Sequence, residues 1–156
     1  MDVKQRISQL TEWYGDGSDG SCPTPAQWRK ALDRPVDGPF NLVNFFKLRK
    51  EARYPAAESG QENEPKSQIS GEDAFKVYSS VSVPAMARVG GSFVFVGPYQ
   101  GTFLGEEEDW DLIAIGSFPD RETLIDLFAD PDYRACYPHR TAACARQRVV
   151  LCMAAA

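Results

Sequence analysis

An α+β fold in which helices cover one face of a four-stranded antiparallel sheet is what this sequence predicts, and three observations carry the prediction. Apolar segments of strand length alternate with segments of helical periodicity in the order strand, helix, strand, strand, helix, strand. The 156 residues suffice for one filled core and fall short of two. Each strand is apolar on both faces, unlike a sheet with one side in water. The order is that of the split βαβ, or ferredoxin-like, motif.

Residues 1–38 read as an N-terminal helical extension ahead of a ferredoxin-like domain over 39–156. Ile7, Leu10 and Tyr14 recur at helical spacing, and a Gly/Asp/Ser turn follows at 15–21. Thr24 with Pro25 behind it is an N-cap pattern, and Trp28, Ala31 and Leu32 give that second helix one apolar face. A first strand is expected at 40–48. The next twenty residues, 49–68, are polar, rich in Glu, Ala and Pro, and without periodicity, as a lid or inserted loop would be.

Ser70-Gly71-Glu72-Asp73 has the form of a capping box, opening a helix whose face carries Phe75, Tyr78, Val81, Ala85 and Val89. Pro84 should kink that helix and Gly90-Gly91 should stop it. Strands at 93–99 and 110–118 flank a loop whose acidic run, 106–109, reads as a solvated turn. Asp120 then starts a helix through Leu124, Leu127 and Phe128, and Asp130-Pro131 restarts it through Tyr133. Tyr137-Pro138 should break it, leaving an Ala-rich turn at 139–145 before a last strand at 147–153.

Alternation along the strands puts Leu42 and Phe46 against Val43 and Phe45, and Phe93 and Phe95 against Val94 and Val96. It puts Leu112 and Ala114 against Ile113 and Ile115, and Val149 and Leu151 against Val150 and Cys152. An open apolar face of that extent exceeds what a monomer tolerates, so something must cover it. The N-terminal helices have few apolar positions for the task. A second copy of the same sheet is the better cover, which predicts a homodimer.

Composition narrows the function. A net charge of −5 and a pI near 4.9 leave no basic surface for nucleic acid. No segment approaches the ~20 apolar residues of a membrane span, and the first residues lack a signal pattern, so the expectation is a cytoplasmic protein with no membrane partner. Cys22, Cys136, Cys144 and Cys152 show no C-x-x-C spacing and read as reduced thiols, with no metal and no cofactor expected.

Tyr78, Pro84, Gly90-Gly91, Phe118-Pro119, Asp132-Tyr133 and Arg140, in that order and at those separations, resemble the bacterial family called Domain of Unknown Function 1330. The resemblance covers roughly 39 to 153 and implies membership of the dimeric α+β barrel superfamily. The N-terminal extension and the polar stretch are departures from that shorter pattern. Relatives there include cofactor-free monooxygenases, muconolactone isomerase, haem-degrading oxygenases and regulatory domains, so the resemblance implies a fold and a pocket, not a reaction.

Several side chains are candidates for the pocket. Asn44 shares a strand face with Leu42 and Phe46, where an amide must either bond to backbone or orient a ligand. His139, the only histidine, is either an exposed or capping residue or a general base or haem ligand. Arg140 suits a carboxylate, or an ion pair with the acidic segment 120–132. Tyr78 and Tyr133 suit core packing with a bonded hydroxyl, whereas Tyr99 and Trp110, at strand ends, either line a cavity mouth or serve packing alone. The first reading is a homodimeric barrel binding a small, mainly apolar, aromatic or polyketide-like molecule. Its catalytic form is a cofactor-free enzyme of proton transfer or oxidation, with His139 catalytic and Asn44, Tyr78, Tyr99, Trp110 and Arg140 around the ligand. A non-catalytic binding or assembly module is the alternative, and a haem-binding protein the third.

Overall fold

The computed structural model of the chain describes residues 1–55 and 68–154. Two short helices come first, α1 (Val3–Tyr14) and α2 (Pro25–Leu32), each opened by a reciprocal cap, Asp2 with Gln5 and Thr24 with Gln27. Then follow β1 (Phe40–Leu48), α3 (Gly71–Val89), β2 (Ser92–Pro98), β3 (Leu112–Phe118), α4 (Arg121–Ala129), α5 (Pro131–Ala143) and β4 (Cys144–Met153). The sheet order is β2-β3-β1-β4 with every neighbouring pair antiparallel, which is the ferredoxin-like arrangement. Residues 56–67, most of the polar stretch expected to form a loop, lie outside the described residues.

The helices cover the face that carries Phe40, Leu42, Asn44 and Phe46 of β1, paired across to Phe118, Gly116, Ala114 and Leu112 of β3. The main core joins Phe40 and Phe118 to Leu124, Leu127, Phe128, Tyr133 and Tyr137 beneath α4 and α5. Ile7, Leu10, Trp28 and Leu32 of the N-terminal helices belong to that same core. The Trp28 ring meets Phe128 edge-on at 4.9 Å. These helices therefore bury their apolar faces on the helical side of the molecule and not on the open side of the sheet.

That open side is apolar, as the strand pattern predicts. Paired positions run Phe95, Ile115, Val43, Val150 straight across all four strands. Val43 and Ile115 are half-buried, while Phe95 and Val150 are 52% and 39% exposed. At one end the row gives way to Phe45, Arg146, Arg148 and Trp110, with the Arg146 guanidinium 4.1 Å above the indole.

Three local expectations need correction. The α5 helix does not break at Tyr137-Pro138 but runs on to Ala143. Pro138 gives up the N–H that would bond the Arg134 carbonyl, yet Tyr133, Cys136, Tyr137 and Arg140, at i, i+3, i+4 and i+7, are all buried along one side, and that burial outweighs one lost bond. The last strand accordingly starts at Cys144, directly after the helix. In β2 the register steps from Phe93 opposite Gly116 to Phe95 opposite Ile115, so Val94 is the extra residue of a bulge. Phe93 and Phe95 thus lie on opposite faces, not on one. Pro84, as expected, sits inside α3, and Gly90 at φ 100° caps its end in the left-handed conformation.

Backbone contacts hold α3 and α5 over the sheet. A Cβ on Gly71 would stand 2.1 Å from the Arg49 carbonyl oxygen and 2.9 Å from that of Ala143, so only glycine lets β1, α3 and α5 converge there. At the other end of α3, Arg88 Nη2 lies 2.9 Å from an Asp130 oxygen, and Asp130 also accepts from the Asp132 and Tyr133 amides as the N-cap of α5. Burial alone would raise the Asp130 pKa, but the Arg88 bond and the two amides hold it below the usual carboxylate range. A group with a depressed folded pKa stabilises above its unfolded value, near ~4, and that contribution is lost as pH falls through the folded value. Asp130→Ala is expected to cost about 1–2 kcal/mol at pH 7, and the gap between variant and wild type should shrink below pH ~4. Urea unfolding at pH 7 and pH 3 checks both parts.

Candidate functional site: a cavity under the helices

The sheet and its helices line a partly open cavity of about 750 Å3. Its floor is built from Leu42 and Asn44 of β1 with Ala114 and Gly116 of β3, and its roof from Tyr78, Ser79, Ser82 and Met86 of α3 with Tyr133, Tyr137 and Arg140 of α5. Space exists because β3 is small where β1 faces it. A Cβ on Gly116 would already stand 3.1 Å from the Met86 methyl. The turn before α2 and Trp28 close one side, and Tyr137 Oη donates to the Ser21 carbonyl at 2.8 Å, tying that turn to α5.

The polar groups gather at Arg140, which is 7% exposed. Its Nε donates to Gln147 Oε1 at 2.8 Å, Nη1 to Tyr78 Oη at 3.1 Å and Nη2 to Asn44 Oδ1 at 3.3 Å. The guanidinium carbon lies 4.8 Å from the Phe46 ring centre, 5.5 Å from Tyr137 and 5.6 Å from Tyr78. Asn44 is fixed in turn, its Nδ2 donating to the carbonyls of Ala114 at 3.0 Å and Leu42 at 3.2 Å. The amide therefore bonds to backbone through its nitrogen, while its oxygen accepts from Arg140 at the cavity floor. Tyr78 Oη and Tyr133 Oη are 2.9 Å apart, which extends the network along the roof.

Among the described residues, no carboxylate pairs with Arg140. The ion pair expected with segment 120–132 does not form, because Arg88 takes Asp130 and Asp132 instead. Withdrawing a cation from water costs several kcal/mol. Three hydrogen bonds to neutral acceptors, at about 1.5–3 kcal/mol each, and aromatic faces worth roughly 0.5–2 kcal/mol each offset that cost without cancelling the charge. Burial opposes ionisation of Arg140, but the oxygens of Tyr78, Tyr137 and Tyr133 more than compensate and hold it as a cation. Burial raises the Tyr133 and Tyr137 phenols well above their usual range, so both are neutral donors. It also pushes the Cys136 and Cys144 thiols up to about 11, which leaves no thiolate nucleophile there at neutral pH.

The structure thus brings Asn44, Tyr78 and Arg140 together and adds Tyr133, Tyr137 and Gln147 to them. It does not bring the other candidates. His139 is half-buried on α5, its Nδ1 2.6 Å from Tyr54 Oη, and does not line the cavity. Tyr99 bonds through its hydroxyl to Thr102 in the loop after β2. Trp110 is buried beside Phe45 at 5.6 Å, with its Nε1 donating to Glu108 at 2.8 Å, on the opposite side of the sheet. Among the described residues no group of three His, Cys, Asp or Glu side chains is placed to hold a metal ion. No described helix is long and apolar enough to cross a membrane.

Fold and cavity together define a ferredoxin-like α+β protein with a partly open cavity between its sheet and its helices. The chain belongs to the family described as Domain of unknown function (DUF1330), whose model matches residues 66–154. It is similar to the crystal structure of RPA0582, a protein of unknown function from Rhodopseudomonas palustris, at 26% identity and a TM-score of 0.73, over 86% of this chain and 96% of that one. The methylated form of the RPA0582 protein matches at the same identity and TM-score, over 86% of this chain and 94% of that one. No curated protein matches the chain.

Proposed function

We propose that this protein is a homodimer that holds a small, mainly apolar molecule in the cavity beneath α3 and α5. The observation that carries the reading is the cavity itself. At about 750 Å3 it has the size of a small-molecule site, and its apolar walls surround one cluster of fixed polar groups, as such sites do. Asn44, Tyr78 and Arg140 are the ligand-orienting residues in this reading.

Nile red, a neutral apolar dye, serves as the first probe. It is expected to bind with a blue-shifted, enhanced emission at one site per chain. Ser79 lines the cavity from α3 and is half-buried, so an indole placed there occupies the space without opening the core. Ser79→Trp is expected to weaken dye binding roughly tenfold or more, equivalent to about 1.4 kcal/mol, with cooperative unfolding retained. Undiminished binding to a folded variant would place the dye elsewhere and remove the cavity from the proposal. The homodimer rests on the apolar row across the open face of the sheet.

A further inference from the structure

We infer that the molecule held in the cavity is a monocarboxylate, bound with its carboxylate on Arg140 and its apolar body against the aromatic walls. This rests on the cavity being a ligand site and names the chemical class it takes. Arg140 is a full positive charge, nine-tenths buried, and its three partners Gln147, Tyr78 and Asn44 are all neutral acceptors. A guanidinium has five N–H donors. Those three bonds leave one N–H on each terminal nitrogen unused among the described residues. Two N–H groups on adjacent nitrogens of a planar fork match the two oxygens of a carboxylate.

The remaining charges decide between one anionic class and another. The other cations near the cavity are Lys30, which is exposed, and Arg148, whose guanidinium lies on the open face of the sheet over Phe45 and 3.3 Å from Glu108. The interior therefore offers one positive charge, which balances a single negative one. A phosphate monoester would bring close to two negative charges against that one cation. The walls supply the rest of the selection. Phe75, Phe128 and Leu124 favour a flat aromatic or short aliphatic body, and Gln147 and Asn44 bond the guanidinium from the neighbouring strands β4 and β1.

The test uses matched pairs in which only the charge differs: benzoate, phenylacetate, cinnamate and octanoate, each against its primary amide, measured by calorimetric titration of the full chain. At least one acid is expected to bind ten times more tightly than its amide. In Arg140→Gln the discrimination between acid and amide should fall to less than twofold. As a readout independent of that variant's folding, the Nε–Hε NMR resonance of Arg140 in the wild-type protein should shift on adding the acid and stay in place on adding the amide. An acid and amide bound equally, or an Arg140 resonance unmoved by a bound acid, overturns the carboxylate assignment and leaves the cavity as a neutral-ligand site. If neither member of any pair binds and Nile red also fails to bind, the ligand reading falls and this inference with it. If Nile red binds and all four acids fail, only the carboxylate assignment is overturned.

Discussion

Trp28→Ala is expected to destabilise the protein by about 3–5 kcal/mol, the usual cost of removing a large buried aromatic ring. Trp28 is 2% exposed and packs edge-on against Phe128, in the same core as Leu10, Leu32, Phe118 and Tyr137. Its indole nitrogen has no hydrogen-bond partner among the described residues, so the whole contribution of the side chain is packing and burial. The ring also forms one wall of the cavity, and its removal would merge new empty volume with the space already there. For a domain of ordinary stability, some 5–15 kcal/mol, such a loss is a large fraction of the total. Urea unfolding of the variant measures it. A cost under about 1 kcal/mol would mean that residues 1–38 are an appendage whose packing the domain does not need. The same logic applies to Tyr14, whose hydroxyl donates to the Phe128 carbonyl at 2.6 Å and whose ring packs on Phe128 and Tyr137.

Ile115→Asp is expected to convert the proposed dimer into a monomer. Ile115 pairs with Val43 on one side and Phe95 on the other, at the middle of the apolar row that crosses the open face. In a two-fold dimer formed through that face the substitution enters twice and places two carboxylates in an apolar interface. An uncompensated buried charge costs roughly 3–5 kcal/mol, so association should weaken by about a thousandfold or more. The isolated chain is affected far less, because Ile115 is only half-buried within it and water can reach the new carboxylate. Sedimentation velocity at micromolar concentration is the measurement, with circular dichroism to show the fold unchanged. A wild-type monomer, or a variant that still dimerises, would end the homodimer proposal.

The candidate site is partly legible in the sequence. Asn44 stood out as an amide on an apolar strand face, and the structure places it on the cavity floor. Tyr78 and Arg140 belonged to the ordered set of family residues, and they are now seen to be hydrogen-bonded to each other at 3.1 Å. Tyr137 is hidden in the sequence by Pro138 after it, since a proline ordinarily ends a helix. The signal that would have found it was present, in the spacing of Tyr133, Tyr137 and Arg140 by four and then three residues, which only an unbroken helix puts on one side. Gln147 carried no signal of its own, since a glutamine near the start of a strand is ordinary. His139 attracted notice for being the only histidine. Uniqueness in composition says nothing about where a side chain lies, and this one lies against Tyr54.

By itself the sequence determined the order of the elements, the caps at Thr24 and Ser70, the stop at Gly90-Gly91 and the apolar character of both sheet faces. All of these are set within a few residues along the chain, by side-chain periodicity, by caps and by the backbone freedom of glycine. Tertiary structure alone decided that α5 continues through Pro138, that β2 bulges at Val94, and that the N-terminal helices join the core beneath α4 and α5. It also decided that Arg88 takes the acidic partners of α5 and leaves Arg140 to neutral ones. Each of those outcomes balances a local cost, such as a lost hydrogen bond or an uncompensated charge, against burial and bonding contributed by residues distant along the chain, 96 positions apart for Arg140 and Asn44 and 116 for Tyr137 and Ser21. No window of neighbouring residues contains both sides of that balance.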